Sequence, residues 1–196
     1  MALNALYGLI LAGGESRRMG QDKALLRRNG KSQLANLVAL VEPLVDRVFV
    51  STRSDQREEP ERRQFAQIID RYSDVGPIAG VLSAMDDYPN VDWLVVACDL
   101  PNIDDETIRF LIDNRAEGRP FTAFRSSHDD LPEPLCAIYQ RGSDAVIRAF
   151  VDEGMTCPRK MLIRSDTRLL VQPNPTSLDN VNTPGDLEKS VLEGIS

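Results

Sequence analysis

Residues 7–23 read YGLILAGGESRRMGQDK, Tyr7 through Lys23. The run Tyr7–Ala12 is apolar, of strand length, and ends on the paired glycines Gly13 and Gly14. A buried strand that opens into a glycine turn is the usual start of an open α/β sheet with its ligand edge at the strand ends. Glycines at that point let backbone N–H groups approach a phosphate with no Cβ in the way. Arg17, Arg18 and Lys23 follow closely and can neutralise a triphosphate, and arginine can grip two oxygens at once. Gly20 supplies another turn before Asp22 and Lys23. The plainer alternative is a tight turn followed by a solvated basic helix end. The loop matches neither G-x-G-x-x-G nor G-x-x-x-x-G-K-[ST].

Working outward, apolar runs alternate with helix-like segments, which predicts an α/β fold with a mostly parallel central sheet. Strands are expected at Tyr7–Ala12, Arg47–Thr52, Ala66–Ile69, Trp93–Ala97, Thr122–Arg125, Leu135–Tyr139 and Thr167–Val171. Helices are expected near Ser32–Leu44, Glu58–Phe65, Ile78–Tyr88, Asp104–Glu117, Ser143–Glu153 and Pro184–Leu192. Trp93–Ala97 is apolar throughout, as a strand covered on both faces should be. Asp104 and Thr183 are expected helix N-caps. The polar stretches Arg53–Arg57 and Ser126–Pro134 are expected to be loops beside the ligand.

The chain of 196 residues carries a net charge of −7. One domain, 1–196, is expected, with a nucleotide-binding half to about residue 103 and an acceptor half from about 104. The negative charge disfavours non-specific binding to nucleic acid or anionic membrane. Against it stands one basic cluster, Arg17, Arg18, Lys23, Arg27 and Arg28, broken only by Asp22, which suggests an anionic small ligand. The apolar runs are too short to span a bilayer, and the N-terminal segment lacks a basic leader region. Cys98, Cys136 and Cys157 show no metal or disulfide spacing and fit reduced thiols, so a cytoplasmic location is expected.

Further motifs follow the strands. Asp99 lies in Cys98-Asp99-Leu100-Pro101 after the central strand, where a carboxylate could hold Mg²⁺ beside phosphate oxygens or simply form a turn. Asp70 precedes Gly76-Pro77-Ile78-Ala79-Gly80, in which Gly80 permits close approach to a ligand or to a strand. Asn180 and Asn182, two apart in Leu178-Asp179-Asn180-Val181-Asn182-Thr183-Pro184, face the same way if extended. Arg125, Glu133 and the pair Arg159–Lys160 are weaker candidates for meeting an anionic second substrate. His128, the only histidine, reads as a surface residue, and Trp93 as core. Ser16 has no evident base beside it, so nothing supports a serine nucleophile.

The string Leu11–Lys23 as a whole resembles the L-A-G-G-x-S-x-R-M-G-x-D-K signature of the GT-A-like nucleotidyltransferases. Sugar-nucleotide members of that group usually place proline before the lysine. Asp22 at that position, with N-V-N-T-P at 180–184, resembles the molybdenum cofactor guanylyltransferase family. CDLP, GPIAG and Asp70 resemble its metal-binding acid, its G-P-[LI]-A-G turn and its nucleotide-binding acid. The resemblance implies a three-layer Rossmann-like, GT-A-like fold and Mg²⁺-dependent transfer of GMP from GTP to the phosphate of molybdopterin. It implies that Leu11, Ala12, Gly13, Gly14, Arg18, Lys23, Asp70, Gly80 and Asp99 bind nucleotide. Lys23, Arg17 and Asp99 would assist the reaction, with Asp99 on the metal. Asn180, Asn182, Arg159 and Lys160 would meet the second substrate. Molybdenum-insertion and cofactor-delivery proteins would be further partners. Thr52-Arg53 departs from the asparagine often found after the second strand. A cytidylyltransferase, a sugar-phosphate nucleotidyltransferase and a non-catalytic assembly partner stay open as alternatives.

Overall fold

The computed structural model describes residues 4–14, 22–181 and 186. Arg17, Arg18, Gly20, Ser16, Asn182 and Thr183 therefore lie outside the described residues, as does the expected helix Pro184–Leu192 apart from Asp186.

The elements run, in chain order, β1 (Leu6–Leu11), the short ribbon β2 (Arg27–Arg28) and β3 (Lys31–Ser32), α1 (Gln33–Val41), β4 (Arg47–Thr52) and β5 (Gln67–Ile69). They continue with α2 (Ile78–Asp87), β6 (Asp92–Ala97), α3 (Asp105–Asp113), β7 (Phe121–Arg125), β8 (Pro132–Tyr139), α4 (Ser143–Asp152), α5 (Pro158–Ile163) and β9 (Thr167–Val171). Seven strands form one sheet in the order β5-β4-β1-β6-β8-β7-β9. All pairings are parallel except those of β8, which runs antiparallel to both β6 and β7.

Alternation along the central strand builds the layers. Leu94 and Val96 point to one face and pack with Leu34, Leu37, Ile108 and Leu111 of α1 and α3. Trp93 and Val95 point to the other and pack with Ile78, Val81, Ile147 and Met161 of α2, α4 and α5. A strand buried on both faces must be apolar throughout. β6 is, beyond its first residue, and each of its residues is buried. The result is the three-layer arrangement expected from sequence.

Capping explains several helix starts. The Ser32 hydroxyl accepts the Ala35 N–H at 3.1 Å, and the Asp104 carboxylate accepts that of Thr107 at 2.8 Å, as expected for Asp104. The Glu58–Phe65 helix is not formed. Pro60 removes an N–H from the segment, and the Glu59 carboxylate takes the N–H groups of Glu61 and Arg62 at 3.1 and 2.9 Å. What remains is a single 3₁₀ turn at Arg62–Gln64. In the other direction, α5 appears where no helix was expected, with Pro158 at its first position.

Strand β8 begins at Pro132, earlier than its apolar run suggests. Its pairing with β7 slips between Ala123 and Phe124, so that Ala123 faces Ala137 while Phe124 faces Glu133. The extra residues on β8 relative to β7 are Pro134–Cys136, and the Tyr139 hydroxyl donates to the Pro134 carbonyl at 2.9 Å. Bulges of this kind re-aim chain beside functional sites.

Candidate active site

At the carboxyl ends of β1, β4 and β6 the sheet opens into a cleft of about 710 Å³. Leu11, Ala12, Gly13 and Gly14 form one wall, and Lys23, Asp70 and Asp99 also line it. A smaller cavity of about 260 Å³ adjoins it, lined by Glu133, Cys157, Arg159 and Asn180 among others. Asp99, Pro77 and Leu135 line both. Asp99 therefore sits at the junction of two pockets, which the order of the strands produces: β1 and β4 flank one side of β6 and the reversed β8 the other.

The two glycines differ in their physical reason. A Cβ on Gly13 would come within 2.9 Å of the Asp70 carboxylate, so glycine there lets the two segments meet. A Cβ on Gly14 would meet nothing within 4 Å among the described residues.

Lys23 begins a 3₁₀ turn, Lys23–Leu25, capped by Asp22, whose Oδ1 accepts the Ala24 N–H at 3.0 Å. The Lys23 ammonium stands 3.7 Å from Asp99 Oδ2. Asp99 Oδ1 is buried and has no hydrogen-bond partner. Burial pushes the Asp99 carboxyl above its ordinary range, and the Lys23 charge pulls it back. An orphaned buried carboxylate oxygen is one that a bound cation would satisfy. Among the described residues no three His, Cys, Asp or Glu side chains gather around a common point. The turn itself is held from behind, by Gln33 donating to the Leu100 carbonyl at 3.2 Å and Arg28 to that of Pro101 at 3.4 Å.

Across the cleft, Asp70 accepts the Ser51 hydroxyl at 2.7 Å. Burial raises its carboxyl, while Ser51 and Arg53 act against the rise. Arg53, at the position that departs from the expected asparagine, lines the cleft and reaches the Gly13 carbonyl at 3.3 Å. Its guanidinium also grips Asp55 through two bonds of 3.0 and 2.9 Å. Cys98 lines the cleft too, but burial pushes its thiol far above the ordinary value, so it offers no thiolate nucleophile.

Several expected residues stand elsewhere. Gly80 does not line the cleft. Its missing Cβ admits Ser51 and Leu11, so of the two roles open to it, close approach to a strand is the one observed. Arg27 and Arg28 are exposed on the β2–β3 ribbon rather than in the cleft. Arg159 lines the smaller cavity, but its guanidinium is engaged by Asp129 at 2.8 Å and Glu133 at 3.0 Å. Lys160 points to solvent, because neighbours on a helix diverge by about 100°. Asn180 is fixed beside Asp99 by its neighbour Val181, whose N–H donates to the Asp99 carbonyl at 2.9 Å. His128 is on the surface as expected, paired with Asp179 at 2.8 Å, and Trp93 is in the core. The polar stretch Arg53–Arg57 does border the cleft through Arg53, Ser54 and Asp55.

Two site residues were missed from sequence. Tyr72 lines the larger cleft, its ring under Arg148 and its hydroxyl donating to Asp86 at 2.7 Å. Arg62 is fully buried, against Ala12 and Asp22. An arginine in a charged segment ordinarily reads as solvated.

Residues 8–168 match the MobA-like NTP transferase domain. The chain belongs to that family. Among MobA-like relatives, a molybdenum cofactor biosynthesis bifunctional protein of Synechocystis sp. is 34% identical over 181 residues, covering 92% of this chain and 52% of that protein. The chain thus spans about half the length of that relative. A probable molybdenum cofactor guanylyltransferase of Trichormus variabilis is 30% identical, with 98% of this chain and 92% of that one covered. The crystal structure of molybdopterin-guanine dinucleotide biosynthesis protein A from Archaeoglobus fulgidus superimposes with a TM-score of 0.77 over 93% of this chain and 95% of that one. At 23% identity that likeness speaks for the MobA-like fold. Among the described residues no helix is long and apolar enough to cross a membrane.

Proposed function

We propose that this chain is a molybdenum cofactor guanylyltransferase, which transfers GMP from GTP to the terminal phosphate of molybdopterin and releases pyrophosphate. The observation that carries the reading is Asp99 at the junction of the glycine-walled cleft and the smaller cavity. Nucleotide belongs in the first, the pterin phosphate in the second, and the α-phosphate between them. An oxygen of the pterin phosphate forms the new bond to the α-phosphorus. The bond from that phosphorus to the β-bridging oxygen breaks, and its electron pair leaves with pyrophosphate.

The attacking phosphate is already ionised, so the protein needs no nucleophile of its own. Its task is in-line positioning and neutralisation of charge. Backbone N–H groups at Gly13 and Gly14 hold phosphate oxygens, and Lys23, with Arg17 and Arg18, meets charge on the departing pyrophosphate. Asp70 approaches the nucleoside end of the cleft. Asn180, which lines the smaller cavity, would meet the acceptor. Asp99 would hold a divalent ion, Mg²⁺, which would supply charge neutralisation at the reacting phosphates.

Pyrophosphate release in the presence of molybdopterin and Mg²⁺, with GTP, CTP and ATP compared side by side, tests the assignment. Release with GTP alone is expected. Faster release with CTP would make the chain a cytidylyltransferase, and no release with any nucleotide would leave it a binding protein.

A further inference from the structure

Arg62 carries a guanidinium with no solvent exposure into the interior, between Ala12 and Asp22. Its Nη2 donates to the Ala12 carbonyl at 2.7 Å and to Asp22 Oδ2 at 2.7 Å. Its Nη1 reaches Glu59 Oε2 at 3.4 Å, and that same oxygen accepts the Arg62 backbone N–H at 2.9 Å. The Nε–H is buried without a partner. Burying a guanidinium is costly, and leaving one of its donors unmet adds to the cost. A side chain that served only to fill this volume would lower the cost by being apolar.

The two groups on Nη2 lie at opposite ends of one segment. Ala12 opens the glycine-bearing loop and Asp22 closes it. Asp22 spends its second oxygen on the cap of the turn that begins with Lys23, and the Lys23 amine stands 3.7 Å from Asp99. One planar, rigid cation thus connects the start of the loop, its end, and through Asp22 the amine beside the candidate metal acid.

We propose that Arg62 is a positioning residue for the triphosphate. It holds Ala12 and Asp22 together and sets Lys23 through the Asp22 cap. The inference rests on the transfer reading above, and goes beyond it in giving the placement of Asp22 and Lys23 to a residue that does not itself line the cleft. Lysine at 62 keeps the charge but cannot meet Ala12 and Asp22 from one plane. Asparagine at 22 keeps the Oδ1 cap but breaks the ion pair.

The test compares Arg62→Lys, Asp22→Asn and the double variant with the natural chain in equilibrium binding of GTP-Mg²⁺ and of guanosine, with Tm recorded for each. GTP affinity is expected to fall roughly tenfold in each single variant, within the range for contacting partners, while guanosine affinity stays put. The double variant should lose no more than either single one, since both cut the same link. A lower Tm with an unchanged preference for GTP over guanosine would overturn the role and leave Arg62 a structural anchor. Equal losses for both ligands would overturn it as well. Should Arg62→Lys not fold, Asp22→Asn, on a side chain 25% exposed, carries the same comparison. A natural chain that binds no GTP would instead refute the transfer reading itself.

Discussion

Gly80→Ala separates two physical arguments by the sign of its effect. Alanine in place of a mid-helix glycine ordinarily stabilises by about 1 kcal/mol, because it restricts the unfolded chain. In α2 the added Cβ would stand 2.2 Å from Ser51 Oγ, 2.9 Å from Ser51 Cβ and 3.1 Å from Leu11 Cδ2. Rotation of the hydroxyl relieves the first contact. It cannot relieve the second, since the Ser51 Cβ is fixed to β4, so helix and strand must separate. Overpacking of this kind costs about 1–3 kcal/mol. The same shift stretches the 2.7 Å hydrogen bond from Ser51 to the Asp70 carboxylate. A hydrogen bond to a charged group contributes about 1.5–3 kcal/mol. With the propensity gain subtracted, the net loss is about 1.5–5 kcal/mol, and for a chain of this size the Tm should fall by roughly 3–20 °C. Urea unfolding and a thermal scan read it directly. Adding Ser51→Gly should recover most of the packing loss but not the Asp70 bond. If Gly80→Ala proves neutral or stabilising, the close approach of α2 to β4 is wrong as described.

Asp99→Ala should abolish Mg²⁺-dependent pyrophosphate release with an unchanged far-UV spectrum, and natural-like turnover would sink the metal assignment. Lys23→Ala should weaken GTP binding more than guanosine binding in a calorimetric titration; equal losses would contradict a role at the phosphates. His128, the only histidine, can be followed by imidazole NMR across pH. Its pKa is raised chiefly by the hydrogen bond that its ring N–H donates to Asp179, so Asp179→Asn should bring the midpoint down toward the ordinary value of about 6.5. Because the folded value is the higher one, whatever stability the pair gives is complete below the unfolded pKa and fades as pH rises through the folded pKa. The Tm difference between the two proteins should therefore be larger at acid pH than at alkaline pH.

The strands were legible because each is a short apolar run bounded by polar residues or glycine, and the layers because β6 is apolar on both faces. The antiparallel sense of β8 was not legible, since direction leaves no periodic mark. Nor was α5, whose single short stretch Pro158–Ile163 offers too few turns to show a period. Local chemistry overrode a helical pattern at 58–65, where the Glu59 side chain displaced backbone bonds. In the site, Asp99, Asp70, Lys23 and the paired glycines stood out through motif and strand-end position. Arg62 did not, because nothing in a run of Glu, Pro and Arg announces which cation will be enclosed. Gly80 was seen as a close approach, but only the packing against Ser51 decided what it approaches.

The order of the strands also limits how the chain can be divided. β1 lies between β4 and β6, and Leu6 pairs with Asp92. A chain ending before β6 leaves β1 with a bare row of N–H and C=O groups beside an apolar face, a ready template for another chain. Ending near residue 103 moves the same problem one strand along, because β8 covers the far edge of β6. The segments before and after residue 103 share one continuous ladder, so a cut between them exposes an edge of β6.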